Sequence, residues 1–127
     1  MGTFSWRNAR LTKELLPVRV GDYRLKLQRY YSNPTGTPIF MVPSLGEDHS
    51  IFVPDNSDSG LACFLADIGY DVYVAEVRNH HNQPYHNHKT ASWGLHNLIM
   101  EDIPAQLSAM MKVRPKEPQF WLGHGSG

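Results

Sequence analysis

Apolar residues along this chain fall in short runs separated by polar turns, and the spacing inside each run predicts its element. Val18, Val20, Tyr23, Leu25, Leu27 and Tyr30 alternate with other residues on either side of Gly21-Asp22. That alternation predicts a β-hairpin with the glycine in its turn. The segment before it, to Leu16, has weak periodicity and reads as a turn or short helix. After a break at Ser32-Asn33-Pro34-Thr35-Gly36, Ile39-Phe40-Met41-Val42 is continuously apolar, as suits a strand buried on both faces.

Helical spacing follows. Leu61, Phe64, Leu65 and Ile68 share one predicted face, with Asp58 or Ser59 as cap and Gly69 as stop. Val72, Val74 and Val77 mark a strand over 70–77, and a polar loop runs over 78–92. Leu98, Ile99, Ile103, Leu107, Met110 and Met111 then recur at helical intervals. Pro104 would strain a helix interior, so the regular helix is expected to start near Asp102, a good cap. It ends at Arg114-Pro115-Lys116-Glu117-Pro118, before a short strand, Phe120-Trp121-Leu122. Strands alternating with helices imply right-handed crossovers and an α/β fold, with a mostly parallel sheet led by an antiparallel hairpin.

Composition narrows the class. The 127 residues carry 12 basic and 12 acidic side chains, so no net field favours nucleic acid or an anionic membrane. Hydrophobic residues at 41% are enough for a globular core, and no linker divides the chain into domains. The longest apolar stretch is too short to span a bilayer. The opening residues contain no apolar run of the kind a signal peptide needs, and a soluble, cytoplasmic protein is the expectation. Cys63 is the sole cysteine and reads as a small buried hydrophobe. Trp93 and Trp121 are expected in or beside the core.

The candidate chemistry lies where the last strand runs into Gly123-His124-Gly125-Ser126-Gly127. This resembles the nucleophile elbow of the α/β-hydrolase family, written G-x-S-x-G, a tight strand-to-helix turn that needs glycine at its flanks. Gly123 and Gly127 occupy the flanking places, and Gly125 occupies the nucleophile's. A shifted register would make Ser126 the nucleophile, with His124 two places before it. The run Pro38-Ile39-Phe40-Met41-Val42-Pro43-Ser44-Leu45-Gly46 is similar to the family's strand and oxyanion loop, with Pro43-Ser44 where His-Gly is usual. Segments 69–75 and Glu101-Asp102-Ile103-Pro104-Ala105 also resemble family segments, the latter one found in lipase-like members.

The resemblance covers about residues 17–127. It implies the N-terminal part of a single α/β-hydrolase-like domain, esterase- or lipase-like, reaching the nucleophile elbow. By position it assigns the backbone N–H groups of Leu45 and Ser126 to an oxyanion hole. The family reaction is acyl transfer to water through a covalent serine intermediate. Gly125 has no hydroxyl, and the family's triad acid and histidine follow the elbow, beyond this stretch. The chain alone is therefore expected to be inactive on a small-molecule acyl substrate; the alternative is a non-catalytic relative that keeps the cleft for binding a ligand or partner. No cofactor or metal is expected. His80, His81, His86 and His88 crowd one loop, but no carboxylate or cysteine accompanies them there, and a solvated loop beside a cleft is preferred to a zinc site. His49 is likewise read as a polar loop residue. The open edge expected of the last strand predicts a fragment that is either self-associated through it or poorly stable.

Overall fold

The computed structural model describes residues 4–8, 11–21, 23–43, 60–76, 98–115 and 120–123. Six strands form one sheet. They are β1 (Phe4–Asn8), β2 (Leu11–Val20), β3 (Tyr23–Tyr31), β4 (Pro38–Val42), β5 (Asp71–Val74) and β6 (Phe120–Gly123). Their order across the sheet is β1-β2-β3-β5-β4-β6. The first three strands and the β3–β5 junction are antiparallel, while β5, β4 and β6 run parallel.

The hairpin turns where its alternation breaks, with Gly21 at φ 59°, a conformation that glycine adopts without strain. The opening segment departs from expectation: it is two strands, and neither a turn nor a helix. Pairing decides this, because Thr12 to Val20 lie against Tyr31 to Tyr23 in unbroken register. Most of residues 12–16 are only half-buried, so their weak periodicity reports partial exposure on both faces and says little about the backbone.

Helix α1 (Leu61–Asp67) links β4 to β5, and α2 (Ile103–Val113) links β5 to β6. Because β5 and β6 flank β4 on opposite sides, two right-handed crossovers put their helices on opposite faces. The core divides accordingly. Ile39, Met41, Val72 and Val74 pack with Ala62, Cys63 and Ala66 of α1, and Phe40, Val42, Tyr73 and Ala75 with Ile103 and Met110 of α2. All of β4 is buried, as its unbroken apolar run predicts.

The buried face of α1 is Ala62, Cys63 and Ala66, whereas Leu61, Phe64 and Ile68 are exposed and Leu65 is only partly covered. Small side chains let the helix backbone approach the sheet closely, and closeness prevails over side-chain bulk. Gly60 precedes α1 at φ 97° with no side-chain cap; Asp58 and Ser59 lie outside the described residues. Gly69 stops the helix at φ 114°, as expected.

Helix α2 starts at Ile103, as expected, with Pro104 at its second position, where the missing N–H coincides with the switch from the π-helical turn over Leu98–Asp102 to the regular helix. Asp102 does not cap it: the residue is helical and ends a π-helical turn over Leu98–Asp102. Ile103, Gln106 and Met110 form the buried face, while Met111 is exposed. Trp121 is half-exposed beside the core, its ring 5.2 Å from that of Phe40.

Candidate active site

The parallel strands bring the two candidate loops to one end of the sheet. Val42, the last residue of β4, pairs with Gly123, the last of β6. Leu45 is three residues beyond the first and Gly125 two beyond the second. The chain also reverses its direction of travel across the sheet here, from β4 outward to β5 and back over β4 to β6. In open α/β sheets, ligands bind in the crevice at the carboxyl end of such a switch point. Leu45, Gly125 and Ser126 themselves lie outside the described residues, as do His49, Trp93 and the loop with His80, His81, His86 and His88. Among the described residues, no group of three or more His, Cys, Asp or Glu side chains stands close enough to hold a metal.

What holds this end in place is a residue the apolar spacing passed over. The amide of Gln106, fully buried, accepts a hydrogen bond from the backbone N–H of Glu76 at 2.8 Å and donates to its carbonyl at 2.7 Å. It thereby continues β5 as a strand neighbour would, and Nε2 also donates to the Asp102 carbonyl at 3.1 Å. The backbone N–H of Lys26 donates to the Glu76 carboxylate at 2.9 Å, tying β3 to the same point. The signal was present in the sequence: a glutamine three residues after Ile103 interrupts the apolar face of α2.

At the opposite end of the sheet lies a buried ionic cluster that no local pattern announces. Asp71, fully buried at the start of β5, accepts from Arg29 Nε at 2.7 Å and Nη2 at 3.0 Å. It also accepts from Arg114 Nη1 at 2.8 Å and the Tyr73 hydroxyl at 2.8 Å. Arg29 reaches Glu14 on β2 at 3.0 Å, and Arg114 reaches the carbonyls of Pro34 and Gly36. Burial by itself would lower the Arg29 pKa; the hydrogen-bonded Asp71 outweighs it and the guanidinium is held in its charged form. Burial, then the charge of Asp71, pushes the Tyr73 phenol up. Among the described residues these hydrogen bonds join two cations, Arg29 and Arg114, to two carboxylates, Asp71 and Glu14. The cluster joins β2, β3, β5, α2 and the entry to β4, and its distance from the carboxyl ends makes it a structural clamp.

No family model matches the chain. It is 28% identical to human lysosomal acid lipase/cholesteryl ester hydrolase over 97 residues, spanning 70% of this chain and 24% of that protein. To lipase lipl-3 of Caenorhabditis elegans it is 26% identical over 86 residues, 63% of this chain and 20% of that protein. A crystal structure from Sulfolobus solfataricus, described as a candidate lipase, superposes with TM-score 0.71 at 17% identity. That match covers 97% of this chain and 42% of the other. The fold is that of the α/β-hydrolases. In sequence the chain is similar to these lipases, and it spans about a quarter of the length of the curated relatives it matches.

Proposed function

We propose that this chain forms the acyl-binding half of an esterase- or lipase-like site. In this reading the backbone N–H groups of Leu45 and Ser126 provide two oxyanion donors, and Gly125 stands at the attacking position. The observation that carries it is the Val42–Gly123 pair, from which both loops leave at one level of the sheet. Fixed backbone donors stabilise developing negative charge because they need no reorganisation as the reaction proceeds. They do not replace a nucleophile, and Gly125 has none. The chain by itself therefore holds an acyl group without turning it over, which is also the behaviour of a non-catalytic binding relative. Among the described residues β6 is the last strand on its side of the sheet, with Phe120 and Trp121 exposed, and this reading has that edge pair with a second copy of the chain.

The test is hydrolysis of short acyl esters by the purified chain. No turnover above buffer is expected. Turnover that Ser126→Ala abolishes would overturn the reading and make Ser126 the nucleophile.

A further inference from the structure

Strand alternation sends neighbouring charges of β2 to opposite faces of the sheet. Glu14 accepts from Arg29 at 3.0 Å, and Arg29 pairs in register with Tyr73, which packs against α2. Lys13 therefore lies on the other face, that of α1. There it pairs in register with Tyr30, and its ammonium stands over the Tyr30 ring, 5.5 Å from the centroid. Tyr30 belongs to an apolar cluster with Leu11 and with Ala62, Cys63 and Ala66 of α1. Among the described residues no carboxylate pairs with this amine. Lys26 and Lys112, by contrast, are exposed.

An amine in such a place is more readily available as a nucleophile. Lys13 is half-buried, so its ammonium loses part of its hydration while small molecules can still reach it. Burial pulls its pKa below the usual lysine range, and the Cys63 thiol opposes this only in part. A larger share of the amine is then uncharged, and the uncharged form is the one that attacks. A carbonyl compound is an electrophile that suits it. The nitrogen bonds to the carbonyl carbon, the oxygen departs as water, and an imine remains; no oxidant or reductant takes part. The imine has no obligatory charge to desolvate, and when protonated it leaves a cation over the Tyr30 ring. The apolar cluster beside it favours an aldehyde with an apolar body over a charged one.

We propose that Lys13 is a covalent carbonyl-binding site that holds apolar aldehydes as an imine. Its row across the sheet runs through Tyr30, Val72, Ile39 and Phe120, three residues before the Val42–Gly123 pair. About 10 Å along the strands thus separates it from the level of the candidate catalytic loops, and its test is independent of the function proposed above. The full chain is incubated with benzaldehyde and cyanoborohydride, which reduces each imine to a stable secondary amine. Peptide mass spectrometry then reads the occupancy of each lysine. In the folded chain Lys13 is expected to react about threefold or more faster than Lys26 and Lys112, and in concentrated urea at their rate. Equal rates in the folded chain overturn the proposal. A preference that persists in urea also overturns it, by placing the cause in the local sequence. Glyoxylate, whose carboxylate must lose water beside the apolar cluster, is expected to show no preference for Lys13. A preference as large as that of benzaldehyde overturns the assignment to apolar aldehydes.

Discussion

Replacing Asp71 by alanine removes a carboxylate that Arg29 and Arg114 share. Its oxygens accept four hydrogen bonds of 2.7 to 3.0 Å, and its side chain is 0% exposed against 9% and 8% for the two arginines. Water cannot readily take its place. The variant leaves two guanidinium groups facing one another across a space lined by the Tyr73 hydroxyl. Removing one partner of a buried ion pair costs about 3–5 kcal/mol, most of it the penalty of the charge left behind. Against a typical domain stability of about 5–15 kcal/mol, that is a large fraction. Urea unfolding followed by tryptophan fluorescence, with the slope unchanged, measures it directly. Glu14→Gln is the control: that carboxylate is 22% exposed and contacts only one of the two arginines, so a loss under about 1 kcal/mol is expected. A loss below about 1 kcal/mol for Asp71→Ala would place the cluster among ordinary surface ion pairs and refute the reasoning.

Gln106→Leu keeps the volume in α2 but strands the Glu76 N–H and carbonyl, and a loss of about 1–3 kcal/mol is expected; hydrogen exchange that leaves the Glu76 amide as protected as before would contradict it. Burial pushes the phenols of Tyr30 and Tyr73 above their ordinary value of about 10. The folded chain then keeps protons that the unfolded chain releases, so stability is full below about pH 10 and falls as pH rises beyond it. Denaturant midpoints should decline through that alkaline range, and less steeply in Tyr73→Phe; a flat profile rejects the argument. Sedimentation should show concentration-dependent association that Trp121→Lys on the β6 edge reduces, whereas a monomer at every concentration speaks against edge pairing.

Much of the architecture was legible from periodicity because the sheet buries both faces of β4 and β5. Ile39 to Val42 had to read as a continuous apolar run, and the hairpin had to alternate around Gly21. The direction of each helix face was harder. In α1 the large residues Leu61, Phe64 and Ile68 stay outside while Ala62, Cys63 and Ala66 face the sheet. Hydrophobicity alone ranks the former as core, and only the distance between helix and sheet reverses the order. The opening strands were hidden for a related reason: half-buried residues leave a faint pattern, and pairing partners far along the chain decide their conformation.

The candidate site shows the same division. The glycine spacing near the elbow and the apolar strand before Leu45 are local features, so the sequence carries them without help. That the strands leading to them lie side by side is a matter of topology, since β4 and β6 become neighbours only after the chain has travelled out to β5 and returned. Gln106 and the Asp71 cluster could not be assigned at all before folding. The Glu76 backbone that pairs with Gln106 lies 30 residues away, and the aspartate that pairs with Arg29 lies 42 away, so neither has this partner nearby in sequence. Tertiary contact supplies one, because burial removes water and obliges each polar group to find its complement within the protein.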